Sequence, residues 1–117
     1  SVKVQAVLTD PLLKFMRKKM GRSAPSLRGY ALQDELTYLL VGQVERAYYE
    51  GNTQPVHVVL AQQATTVANR LRDYLGISAY GYDVYCAVVC GDIHLMYVTI
   101  APKGVVVSNV PSSLSRH

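Results

Sequence analysis

Five basic side chains near the amino end of the chain have the chemistry to neutralise phosphate groups. They are Lys14, Arg17, Lys18, Arg22 and Arg28. Ammonium and guanidinium groups donate charge-assisted hydrogen bonds to phosphate oxygens, and such contacts supply most of the sequence-independent affinity for nucleic acids. Tyr30 follows these residues and offers a ring on which a base can stack, and Tyr80 and Tyr82 are further candidates for exposed contact. Together they predict a nucleic-acid-binding site.

The charges are unevenly distributed along the chain. Residues 1–30 contain seven basic residues and one acid, a balance of +6, whereas residues 31–117 contain five basic residues and seven acids, a balance of −2. The two balances sum to the net charge of +4. A basic first quarter on a slightly acidic body favours an anionic partner, which we expect to be RNA or DNA, with RNA slightly favoured.

No catalytic or metal-binding pattern is evident in the sequence. The histidines, His57, His94 and His117, have no second ligand at metal-binding spacing. The serines do not form a GxSxG pattern, and the glycines do not form a phosphate-binding loop. We therefore expect a non-enzymatic domain without a cofactor or a metal. A small enzyme whose site is completed across a dimer, using His57 or His94, is an alternative.

The basic residues fall on a predicted helix and on the loop that follows it. A short edge strand from Val2 to Leu8 alternates in polarity and precedes Asp10 and Pro11, a pair typical of a helix start. The helix should run from Pro11 to Met20 and end at the next glycine. Residues 21–30 contain two glycines, one proline and two arginines, which indicates an exposed loop. Segment 11–30 is thus expected to be a basic helix and loop.

Three further segments are predicted to build the core. One helix has a continuous apolar face, made by Leu32, Leu36, Leu39, Leu40, Val44, Ala47 and Tyr48. Gly51 and Asn52 should end this helix. The run from Pro55 to Ala61 is rich in β-branched residues and predicts a strand. A helix starting at Thr65 or Thr66 and stopped by Gly76 should follow.

A predicted β-hairpin provides a second candidate surface. The strands Tyr82 to Cys90 and Ile93 to Ala101 flank Gly91-Asp92, which suits a two-residue type II′ turn. This pairing gives the hairpin two apolar faces, one of which contains Tyr85, Val89, Met96 and Val98. The helices of so short a chain can cover one face, so we expect a second copy to cover the other in a homodimer. A protein-interaction or assembly module that oligomerises through the sheet is therefore the alternative function.

The expected fold is a single α+β domain over residues 1–110, with an antiparallel sheet of about four to five strands packed on two to three helices. Residues 111–117 are rich in serine and should form a flexible tail. No apolar run reaches the length of a membrane span. Two cysteines four residues apart on one strand cannot bridge, which favours reduced thiols and an intracellular location, either cytoplasmic or nuclear.

Overall fold

The structure is a computed structural model that describes residues 2–19 and 25–105, with the backbone alone for residues 25–28. Two of the sequence predictions lie outside these residues. They are the end of the first helix at Gly21 and the tail of residues 111–117.

Three strands form one mixed sheet. β1 (Val4–Leu8) is parallel to β3 (His94–Pro102), and β2 (Tyr82–Val89) is antiparallel to β3. The strand order is β1-β3-β2, so β3 lies in the centre. The α+β class is confirmed. The prediction of a purely antiparallel sheet of four to five strands is wrong for the described residues, which form three strands with one parallel pair.

Three helices pack on one face of this sheet. α1 (Asp10–Lys19) follows β1, and α2 (Pro25–Tyr49) and α3 (Val56–Leu75) come before a 3₁₀ turn (Ile77–Tyr80) that leads into β2. α2 packs against β1, α3 packs against β2, and α1 packs against β3 and α2. Buried apolar residues from the three helices and the three strands form one continuous core. None of the helices in the described part of the chain is both long enough and apolar enough to cross a membrane.

The predicted strand from Pro55 to Ala61 is wrong, because this segment forms the first turns of α3. The buried residues recur at helical spacing along the whole of α3: Val59, Leu60, Val67, Ala68 and Leu71. Helical periodicity sustained over 20 residues outweighs the strand propensity of a shorter β-branched run. The predicted stop at Gly76 is confirmed, since this residue adopts a left-handed φ of 58° at the end of the helix.

The predicted loop of residues 21–30 is also corrected for residues 25–30, because α2 begins at Pro25. Proline is favoured in the first turn of a helix, where its missing N–H costs no hydrogen bond. Gly29 lies inside α2 and is buried against α1, since a Cβ on Gly29 would lie 2.6 Å from Leu13 Cδ2. This glycine therefore marks a close contact between helices, and it places Tyr30 on α2 beside α1.

The hairpin pairs one residue away from the predicted register. Val89 pairs with Leu95, so residues 90–93 connect the strands in place of a two-residue turn. Because side chains alternate between the faces of a sheet, a shift by one residue moves a strand's side chains to the opposite face. Met96 and Val98 consequently point into the core, where both are fully buried. Their predicted place on the outer face of the hairpin is wrong.

Side chains of α2 occupy the free edge of β1. Thr37 Oγ1 accepts a hydrogen bond from the N–H of Ala6 at 2.9 Å, and Gln33 Oε1 accepts one from the N–H of Leu8 at 3.1 Å. One helical turn along α2 thus matches two residues along the strand. Because these backbone donors already have acceptors, α2 blocks the addition of a further strand next to β1.

An ion pair joins α3 to the start of β2. Arg72 Nε donates a hydrogen bond to Asp83 Oδ1 at 2.6 Å, and the N–H of Val84 donates to the same oxygen at 2.7 Å. The hydrogen bond from Arg72, followed by that from Val84, holds the pKa of Asp83 below its ordinary value. The two side chains are 33% and 36% exposed, so the pair orients the strand more than it stabilises the domain.

Candidate nucleic-acid interface

α1 is amphipathic, with an apolar side and a cationic side. Leu12, Phe15 and Met16 are buried in the core, and the cations Lys14, Arg17 and Lys18 are exposed. The ion pairs of the described residues are Arg46–Glu50 and Arg72–Asp83, so the cations of α1 have no acidic partner there. They are available to an external anion.

A groove about 580 Å³ in volume runs between α1 and the end of the hairpin. We call it the cationic groove, and its walls include Lys14, Lys18, Lys19, Tyr80, Tyr82 and Pro102. Three lysines line it and no acidic residue does. The groove therefore combines positive charge with an aromatic wall, which are the two features of a site for a single-stranded nucleic acid.

Phe15 supports the aromatic wall from below. Its ring meets Tyr80 edge to face, with centroids 5.4 Å apart and planes at 75°, and it meets Tyr82 in the same way at 5.7 Å and 73°. Tyr80 is 49% exposed, and Lys19 Nζ lies 4.3 Å from the centre of its ring in a cation–π contact. A buried aromatic residue thus holds two outer rings beside the cations.

The 3₁₀ turn sets the position of Tyr80. Gly76 and Gly81 bound this turn, with left-handed φ values of 58° and 80°, which glycine adopts without steric cost. The N–H of Lys103 donates to the carbonyl of Gly81 at 2.9 Å, which ties the turn to the end of β3. The exposed residue Lys103 therefore lies at the same end of the molecule as the groove.

The structure brings some of the predicted binding residues together and not others. Lys14 and Lys18 line the groove, and Arg17 is exposed on the same helix. Tyr30 is 61% exposed near the start of α2. Arg28 lies in the first turns of α2, where the backbone alone is described, and Arg22 lies outside the described residues. Lys19 also lines the groove and was not predicted as a binding residue, although its position directly after Arg17 and Lys18 could have indicated this role.

Two of the four residues predicted for the association surface lie on the outer face of the sheet. Tyr85 and Val89 do lie on the face of the sheet opposite the helices. With the observed register, six apolar residues of this outer face are Val7, Tyr85, Ala87, Val89, Leu95 and Tyr97, and the alternation of side chains also places Gln5, Thr99 and, near its end, Asp83 on this side. All six side chains are partly exposed, and none is charged. Among the described residues, no helix packs over them.

The two histidines that the structure describes, His57 and His94, do not form a recognisable catalytic site. His57 is exposed in the first turn of α3 and shares a shallow recess with Cys86 and Cys90, both free thiols. Burial raises the pKa of Cys86 to about 11, which disfavours the reactive thiolate. His94 is half-buried at the start of β3, and its Nδ1 has no hydrogen-bond partner. Within the described ranges, no three His, Cys, Asp or Glu side chains are placed to hold a metal ion.

Comparisons with protein-family models, with curated proteins and with solved structures found no match.

Proposed function

We propose that this protein binds nucleic acid, RNA or DNA, through the cationic groove and the exposed face of α1. The observation that carries the proposal is the convergence of Lys14, Lys18 and Lys19 around Tyr80 and Tyr82 without an acid on the groove wall. Binding would proceed by phosphate neutralisation and would be mostly independent of sequence. The two free cysteines support an intracellular location, where such a ligand is available.

The packing of α1 and the spacing of its lysines support this proposal in addition to the positive charge of the helix. Its buried side packs into the core through Leu12, Phe15 and Met16, so the helix is held rigidly and its cations are presented outward. Lysines at i and i+4, such as Lys14 and Lys18, lie about one helical turn apart. Their ammonium groups are thus close enough to contact neighbouring phosphates of one strand. Arg17 is exposed on the same helix and adds to its positive surface.

The first prediction tests the charge of the groove. Lys14→Glu combined with Lys18→Glu should preserve the fold, because both side chains are exposed, and should weaken binding of a labelled oligonucleotide at about 50 mM salt by about tenfold or more. Fluorescence anisotropy at two salt concentrations measures the affinity and the salt dependence, which should also decrease.

The matched control carries the same change of net charge elsewhere. Lys3 precedes β1, and Arg46 lies near the end of α2, which runs antiparallel to β1. Both residues therefore lie at the end of the sheet away from α1. Lys3→Glu combined with Arg46→Glu should therefore reduce affinity less than the groove variant does. Equal losses in the two variants would show that net charge, and not the cationic groove, governs binding.

A second candidate function is self-assembly through the outer face of the sheet. We propose a second copy of the chain as its occupant, because the six apolar side chains of this face carry no charge and Asp83 near its end is already paired with Arg72. Stacked sheets of this kind pack about 10 Å apart through such apolar side chains. α2 blocks strand addition at the edge of β1, and packing of one outer face on another is the association mode that we propose.

The second prediction tests this assembly. Light scattering after gel filtration should give the mass of a dimer for the parent protein at about 100 μM, where an interface of ordinary strength is nearly saturated. Leu95→Lys should give a folded monomer, because it places a charge on the outer face. A monomeric parent at that concentration would refute the dimer.

A further inference from the structure

We propose that the cationic groove is specific for single strands and that one unpaired base stacks on the ring of Tyr80. This inference rests on the proposed function and specifies its ligand. Two observations beyond positive charge carry it: the groove is concave, and its floor and wall are largely aromatic and apolar.

The shape of the groove disfavours a duplex. A double helix presents its phosphates outward and keeps its bases stacked inside, so it has no apolar surface to fill a recess of about 580 Å³. An exposed helix can lie along a duplex, but the tyrosines here line the groove beside α1 together with its lysines. A single strand can direct its phosphates to Lys14 and Lys18 and turn a base into the recess.

Tyr80 offers a partly exposed ring on which that base can stack. Phe15 and Lys19 already hold its ring, the first by an edge contact at 5.4 Å and the second by a cation over the ring face at 4.3 Å. A base that stacks on this face displaces the ammonium of Lys19. The released ammonium lies at the mouth of the groove, where it can neutralise the phosphate of the same nucleotide. Stacking of the base on Tyr80 thereby frees Lys19 to neutralise the phosphate charge.

The test compares three probes of about 12 nucleotides, a length within the usual range for single-strand sites. They are a single-stranded oligothymidylate, an abasic strand with the same number of phosphates, and a duplex. At about 50 mM salt, the parent protein should bind the oligothymidylate about 5- to 150-fold more tightly than the abasic strand, which is the range for one base–aromatic stack. The parent protein should also bind the oligothymidylate more tightly than the duplex.

Variants of Tyr80 then locate the stack. Tyr80→Ala should lose about 5- to 150-fold in affinity for the oligothymidylate, and Tyr80→Phe, which keeps the ring, should stay within about twofold of the parent. The salt dependence should be the same in all three proteins, because no phosphate contact is removed. Circular dichroism checks that each variant is folded, and the abasic probe tests stacking in the unaltered protein.

The outcomes separate this inference from the proposed function. Equal affinity of the parent for all three probes would overturn base stacking. If Lys14→Glu combined with Lys18→Glu still lowered the affinity in that case, binding of nucleic acid through the cationic groove would remain supported. A preference for bases that Tyr80→Ala leaves unchanged would overturn the role of Tyr80. If the parent binds none of the probes at low salt, the proposed function fails and this inference fails with it.

Discussion

Val98→Lys is expected to abolish cooperative folding, whereas Leu95→Lys on the other face of the same strand is expected to leave the domain folded. Val98 is fully buried in the central strand, between Leu8 on β1 and Cys86 on β2. Its side chain points toward the helices, so a lysine there has no short path to water. An unpaired buried charge costs several kcal/mol, which is comparable with the whole stability of a small domain.

Circular dichroism and denaturant unfolding of the two variants measure this difference. Because β3 side chains alternate between the core and the outer face, the pair shows which face of β3 lies in the core; since Val84 of β2 is buried, the result also indicates the register that joins the two strands. A folded Val98→Lys together with an unfolded Leu95→Lys would support the register of a two-residue turn at Gly91-Asp92. Loss of folding in Val98→Lys alone would support the register described here.

The hairpin shows what a sequence pattern can and cannot determine. The positions of both strands are predicted well, because their apolar runs are long and a turn sequence lies between them. The register is not, since both strands carry apolar residues at nearly every position and the polar residues Asp83 and Thr99, which the pairing places on the outer side, both lie near one end of the hairpin. With Met96 and Leu95 equally apolar, periodicity has no means of choosing which of them faces the core.

The helices show how a local pattern can mislead when it is read over too short a window. The run from Pro55 to Ala61 has strand composition, yet its apolar positions continue at helical spacing to Leu75. Likewise Gly29 contributes to the predicted loop, although in the fold it permits close contact with Leu13. In both places, tertiary packing against the sheet or against α1 overrides the local propensity.

The candidate site is predictable in its charges and not in its shape. Lys14 and Lys18 are predicted from the polar side of an amphipathic helix, and both line the groove. The contact of Tyr80 with Phe15 joins residues far apart in sequence, so it depends on how α1 lies across the end of the hairpin. No periodicity in either segment encodes that placement. The aromatic wall of the site therefore becomes visible only in the fold.

Leu40→Ala and Leu36→Ala should each cost about 2 to 5 kcal/mol of the free energy of unfolding, the range for a buried leucine. Leu40 is fully buried and Leu36 nearly so, on the side of α2 that faces the core. Truncation removes buried methyl groups and leaves a cavity that the sheet and α3 cannot fully close. Guanidinium denaturation of the single variants measures the loss, with the slope of the transition showing whether the unfolded state has changed.

Two controls on the same helix make this last prediction specific to a face. Leu39→Ala removes the same atoms as Leu40→Ala, but Leu39 is only partly buried and lines a groove between α2 and α3, so its loss should be smaller. Glu45→Ala changes an exposed residue and should cost well under about 1 kcal/mol. Because Leu39 and Leu40 are adjacent, the difference between them depends on the rotation of α2 about its axis. Equal losses at Leu36, Leu40 and Glu45 would mean that α2 presents a different face to the sheet.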